Sequence, residues 1–121
     1  LQLPSGVILR SESGNPACVM LDGEYAGSIL RCISASAPVL LEGISLVHGG
    51  GLEIDSDDGG GLYVVGSTVQ LRNCRFEGNF AGWKGGGVYA AQATIQIDDC
   101  EFRSNGASGH NDGCGAGGAC R

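Results

Sequence analysis

At 121 residues, six of them cysteine and with a net charge of −6, the chain has room for one small, acidic domain that needs an efficient core or covalent staples. Twenty-three glycines against three prolines argue against ordinary helices, since an interior glycine costs about 1 kcal/mol relative to alanine, and no strict G-X-Y period points to collagen. An apolar content of 42% excludes compositional disorder, the lack of a basic cluster argues against nucleic-acid or anionic-membrane binding, and no apolar run is long enough to span a bilayer.

The chain opens at Leu1 without a leader pattern, so the expectation is a mature product or an excised fragment. Val7–Arg10 and Val19–Leu21 read as the strands of a first, incomplete turn of structure, and Ile29–Ile33 reads as the next strand. Val39-Leu40-Leu41-Glu42-Gly43-Ile44-Ser45-Leu46 reads as strand, turn, strand. An acidic stretch follows, with Glu53, Asp55, Asp57 and Asp58. Oxygen-rich clusters of this kind hold Ca²⁺ in some proteins, although the spacing matches neither an EF-hand loop nor the RTX nonapeptide, and a solvated acidic turn is the simpler reading.

The second half of the chain repeats. Residues 59–79 read GGGLYVVGSTVQLRNCRFEGN, and residues 85–105 read GGGVYAAQATIQIDDCEFRSN, identical at 9 of 21 positions with no gap. The offset, 85 − 59 = 26, lies in the range that marks stacked repeats. Within each repeat the local period is two. Val69 and Leu71 alternate with polar neighbours, as do Ile95 and Ile97, which predicts strands. Leu62–Val65 and Val88–Ala91 predict a further strand per repeat, and Cys74-x-Phe76 and Cys100-x-Phe102 another after a short turn. Glycine-rich corners are expected to supply the backbone angles that other residues resist.

The fold expected is all-β: a right-handed parallel β-helix, or solenoid, of about four coils with three short strands each, about 20 Å tall. Residues 1–121 form a single segment of it, a candidate piece of a longer solenoid, in which 106–121 is either a Gly-rich tail or the start of a further coil. A leucine-rich frame also fits Leu71-x-x-Cys74-x-Phe76-x-x-Asn79. It is disfavoured because the glycine half of the repeat leaves no helix.

Stacking at an offset of 26 predicts a structural ladder of Cys74 over Cys100, Phe76 over Phe102 and Asn79 over Asn105. It also predicts outward charge pairs, Arg72 with Asp98, Arg75 with Glu101 and Glu77 with Arg103. Cys114 with Cys120 and Cys18 with Cys32 are disulfide candidates, while Cys74 and Cys100 are read as packed thiols. Tyr63 and Tyr89 should stack on one outer face, and with Trp83 they are candidate sugar platforms. Asp98-Asp99 resembles a glycosidase pair only superficially, because adjacent strand residues face opposite ways. His48 and His110 read as loop residues, and no catalytic set is apparent. Ice binding lacks regular threonine ranks, since only Thr68 and Thr94 recur.

The motifs Gly59-Gly60-Gly61-Leu62 with Phe76-Glu77-Gly78-Asn79, and Gly85-Gly86-Gly87-Val88 with Phe102-Arg103-Ser104-Asn105, resemble the GGA-I/L/V and F-x-x-N repeats of chlamydial-type polymorphic outer membrane proteins. The wider resemblance is to the pectin-lyase-like β-helix superfamily, to which the opening Leu3-Pro4-Ser5-Gly6-Val7 is also similar. A glycine stands where the third motif position usually has alanine, and these 121 residues include no autotransporter barrel. Gly117-Gly118-Ala119-Cys120 is similar to the start of another such motif.

The regular repeat, the paired charges and the lack of a catalytic set lead to the expectation of a structural or adhesive module of a secreted or cell-surface protein. Its alternative is a fragment that binds or cleaves polysaccharide, as a lyase or glycosidase does. The cysteine count fits an extracellular, oxidising setting. The expected partner is a surface protein or a polysaccharide, with no nucleic acid, no membrane insertion by this segment, and no cofactor unless calcium binds the acidic stretch. The open ends are available to further coils or other copies.

Overall fold

The structure is a computed structural model, and it describes residues 2–50, 60–81, 85–107 and 119–120. The described residues contain fourteen strands and no helix. In chain order they are β1 (Ile8–Arg10), β2 (Met20–Asp22), β3 (Leu30–Ile33), β4 (Val39–Glu42), β5 (Ser45–Val47) and β6 (Leu62–Val65). Then come β7 (Thr68–Arg72), β8 (Arg75–Glu77), β9 (Phe80–Ala81), β10 (Val88–Ala91), β11 (Thr94–Asp98), β12 (Glu101–Arg103), β13 (Gly106–Ala107) and β14 (Ala119–Cys120).

The fold is all-β, and its strands pair in parallel. Three four-stranded sheets run in the orders β1-β4-β7-β11, β2-β5-β8-β12 and β3-β6-β10-β14, and β9 pairs with β13. A parallel neighbour cannot be reached by a tight hairpin and needs a long connection. Here each connection passes through the other sheets. Leu62 pairs with Val88, Thr68 with Thr94, Arg75 with Glu101 and Phe80 with Gly106, all at the expected offset of 26.

Upstream the offset varies, from 25 between Leu21 and Leu46 to 32 between Leu30 and Leu62. Val39 pairs with Val69 and Leu46 with Phe76, 30 residues apart. The two-residue pair β9 and β13 was not foreseen, because two residues cannot display an alternating pattern. The leucine-rich frame is set aside: the half of each repeat that would carry a helix carries extended β6 and β10 instead.

The inner faces of the three large sheets meet in one core. β6 and β10 contribute Leu62, Val64, Val88 and Ala90, and β4 and β7 contribute Val39, Leu41, Val69 and Leu71, with Phe76 and Leu46 between them. Alternation does this directly. In β7, Val69 and Leu71 are buried while Thr68 and Arg72 face out.

Burial weakens at both ends of the array. Ile97 on β11 is 43% exposed and Leu9, the inward residue of β1, is only partly buried, whereas their partners Leu71 and Leu41 are fully enclosed at 0%. Phe102 is likewise only partly buried, although it stacks on the fully buried Phe76 with centroids 4.9 Å apart and planes 5° from parallel. Phe102→Ala is therefore expected to cost about 1–2 kcal/mol, less than the ~3–5 kcal/mol of a fully buried phenylalanine. Chemical unfolding in urea measures this, and a loss of the full size would mean that Phe102 is enclosed in solution.

The corners correct one expectation. Three left-handed columns turn the chain: Ser34, Gly66 and Gln92; Gly43, Asn73 and Asp99; and His48, Gly78 and Ser104, with φ between +48° and +66°. Most of these residues are not glycine. Asn and Asp tolerate this region because their short polar side chains bond locally. The paired glycines before β6 and β10 serve a different purpose, close approach of backbones. A Cβ on Gly61 would lie 2.6 Å from the Gly87 carbonyl oxygen, and one on Gly86 would lie 2.3 Å from that of Gly106.

Candidate functional site

The outer face of the β3-β6-β10 sheet carries the aromatic platform. Because Leu62 and Val88 point inward, Tyr63 and Tyr89 must point outward. Their rings stack at 5.3 Å with an interplanar angle of 16°, both half-buried. The Arg31 guanidinium carbon sits 5.5 Å from the Tyr63 centroid, on the strand below. Flat rings with a cation at one end offer a surface for a sugar ring or another planar partner. Trp83, the third member expected here, lies outside the described residues.

The inner ladder forms as the offset of 26 predicts. Asn79 is 1% exposed and occupies a polar slot in the apolar core. Its Oδ1 accepts from Gly49 N at 2.8 Å, and its Nδ2 donates to Leu46 O at 2.9 Å and to Asn105 Oδ1 at 3.0 Å. Asn105 Oδ1 also accepts from Asn79 N at 3.0 Å, and Asn105 Nδ2 donates to Phe76 O at 2.8 Å. Each amide thus joins successive passes of the chain and satisfies backbone groups at a corner.

The charged face differs from expectation. Arg75 Nε does approach Glu101 Oε2, at 3.5 Å. Arg103, however, turns along its own strand to Glu101 rather than to Glu77. Asp98 accepts from Gln96 Nε2 at 3.2 Å, and Arg72 reaches the Gln70 amide oxygen at 2.9 Å when that amide faces it, so the Arg72–Asp98 pair is also not closed. Two residues along a strand is a same-face neighbour, which a long side chain reaches as readily as the facing strand. These half-exposed pairs contribute little.

The cysteines correct a second expectation. Cys18 and Cys32 are free thiols rather than a pair, as are Cys74 and Cys100. Cys18 is exposed in the turn before β2, whereas Cys32 is buried in the core from β3, so the two belong to different environments. Cys114 lies outside the described residues, and the Cys120 backbone pairs with Tyr89.

One grouping escaped sequence reading. His48, in a left-handed corner after β5, places Nδ1 3.2 Å from Asp22 Oδ1, and its ring lies 5.2 Å from that of Tyr25. The Asp22 carboxyl is held below its usual range, chiefly by the Glu24 N–H and then by His48. Met20, Tyr25, His48, Glu77 and Ser104 line a shallow hollow of about 270 Å³ there. Asp22 ends β2 opposite Val47, the residue before His48, and this pairing across 25 residues left no repeat in the sequence that could have shown it.

The remaining candidates divide by position. Asp55, Asp57, Asp58, the nearby Glu53 and His110 lie outside the described residues. Among the described residues no group of three or more His, Cys, Asp or Glu stands close enough to hold a metal ion. Asp98 ends β11 and Asp99 occupies a left-handed corner at φ +52°, both exposed. No family model, no curated protein and no solved structure matches this chain.

Proposed function

We propose that the chain is a segment of right-handed parallel β-helix, about four coils of three short strands, serving as a structural or adhesive module of a secreted or cell-surface protein. The observation that carries this reading is the common register. Four strand pairings share one offset of 26, and like residues meet like along it: phenylalanine on phenylalanine, asparagine on asparagine, tyrosine on tyrosine. Such ladders tie each pass to the next through packing and hydrogen bonds, which suits a stiff body that displays its outer faces. The GGA-like and F-x-x-N-like motifs and the cysteine count favour a surface setting.

The test is binding of the fluorescently labelled chain to intact cells. Saturable binding that falls when Tyr63 and Tyr89 are both replaced by serine is expected. No binding, together with a new ultraviolet-absorbing product from a uronate polymer, would overturn the reading in favour of a lyase fragment.

A polysaccharide-binding role is the second reading, and the stacked Tyr63–Tyr89 pair beside Arg31 favours it. Tyr63→Ala would then weaken oligosaccharide binding about tenfold, the loss of about 1.4 kcal/mol of ring contact. Titration calorimetry with soluble oligosaccharides checks this, and unchanged affinity removes the platform from the site.

A further inference from the structure

Cys74 and Cys100 hold equivalent places, each in the turn leading into β8 or β12. The Glu101 N–H donates to Cys74 O at 2.9 Å, which ties the two turns together as adjacent parallel chains. Such neighbours stand about 4.8 Å apart. A disulfide needs Cα atoms about 4.4–6.8 Å apart, so the backbone already meets its requirement.

The side chains explain why the thiols are stacked and not joined. Each sulfur points at the carbonyl two residues back: Cys74 Sγ to Arg72 O at 3.3 Å, and Cys100 Sγ to Asp98 O at 3.4 Å. The two sulfurs thus make equivalent hydrogen bonds, each within its own turn. Turning one side chain would bring them into bonding range at the loss of one weak sulfur hydrogen bond.

The two thiols are not equivalent. Cys74 is 1% exposed and is also held by Leu41 O at 3.4 Å. Cys100 is half-buried, on a pass whose inward residues Ile97 and Phe102 are themselves partly open. The interaction between the two neighbouring thiols lowers the Cys100 thiol to about 7 and, with burial, raises that of Cys74. A thiolate is the attacking species in exchange, so Cys100 combines access with reactivity.

We propose that Cys74 and Cys100 form a redox-modifiable dithiol in which Cys100 reacts with a small-molecule disulfide and Cys74 then closes a covalent clasp between two adjacent passes of the chain. In the first step the Cys100 thiolate attacks one sulfur of the small disulfide. The S–S bond breaks, and one small thiolate leaves and takes up the Cys100 proton. In the second step Cys74 loses its proton and attacks the Cys100 sulfur of the mixed disulfide, expelling the second small thiol. The protein loses two hydrogens and two electrons, and the small disulfide gains both as two thiols. The inference rests on the register of the two turns and stands whether or not the surface reading holds.

The full chain, reduced and then exposed to oxidised glutathione, is digested without reductant and mapped by mass spectrometry. A peptide pair joining Cys74 to Cys100, two hydrogens lighter than its separate parts, is expected as the main product. Cys74→Ser should stop at a stable glutathione adduct on Cys100, and Cys100→Ser should give neither adduct nor linkage at Cys74. Should Cys74→Ser fail to fold, Cys74→Ala provides the same trap, and the wild-type map alone still decides. A wild-type map in which Cys74 and Cys100 remain alkylatable, or link mainly to other cysteines, overturns the proposal. An adduct that forms first at Cys74 overturns it too.

Discussion

Gly50→Ala is expected to lose more than about 3 kcal/mol of stability and to leave little folded protein. Gly50 follows β5 with φ +85°, where its N–H donates to Gly27 O at 2.7 Å. An alanine Cβ there would fall 1.5 Å from the Phe80 carbonyl oxygen and 2.7 Å from its carbon. Both atoms are backbone in β9, so no rotamer change relieves the overlap. The left-handed conformation costs an L-residue about 1–2 kcal/mol, and forced overpacking adds about 1–3 kcal/mol or more. A small domain has only about 5–15 kcal/mol in total. Gly66→Ala isolates the two contributions. It has a positive φ too, +60°, but its Cβ meets only Ser34, at ordinary contact distances of 3.7 Å and more. It should cost about 1 kcal/mol, from backbone conformation alone. Urea midpoints followed by circular dichroism compare the pair, and equal midpoints would show that Gly50 and Phe80 do not approach closely.

Asn79→Ala should cost about 3–5 kcal/mol, more than most polar replacements. Its amide partners are the Gly49 N–H, the Leu46 carbonyl and Asn105 Oδ1, all within a buried slot. Alanine removes the bonds and leaves the Gly49 donor and Leu46 acceptor enclosed without partners. Each such orphan costs about 1–3 kcal/mol, and the cavity adds to it. Asn79→Asp separates the roles of the two amide atoms. It keeps an acceptor for Gly49 N but sets a carboxylate against the Leu46 and Asn105 oxygens. Burial beside acceptors raises its folded pKa above the unfolded value. The variant is therefore least impaired below about pH 4, where both states are protonated, and loses stability as pH rises above that. A deficit that shrinks with rising pH would contradict the buried, acceptor-lined slot. The same denaturation series, repeated across pH, measures it.

Much of the interior was legible from residue order alone. Val69, Leu71, Ile95 and Ile97 alternate because a strand sends successive side chains to opposite faces. The offset of 26 was legible because Phe76, Asn79 and Cys74 recur with Phe102, Asn105 and Cys100 at one spacing, which a parallel stack converts into contact. The earlier strands were placed to within a residue or so. Val7–Arg10 became β1 (Ile8–Arg10), and Val19–Leu21 became β2 (Met20–Asp22). There Leu9 and Leu21 pack towards the core while Ile8 and Met20 stand 60% and 59% exposed.

What residue order determined, then, was which positions face inward and which stack, since both follow from backbone geometry repeated along one dimension. Only the tertiary structure decided the contacts that depend on competition in space. Arg103 pairs with Glu101, two residues back on its own strand, rather than with Glu77 opposite it on the facing strand. His48 met Asp22 and Tyr25 because a left-handed corner swung it off the strand it follows. Ile97 is exposed where its equivalent Leu71 is sealed, although both occupy the same place in the repeat. Burial depends on how many passes lie above and below a residue, and no single repeat carries that information.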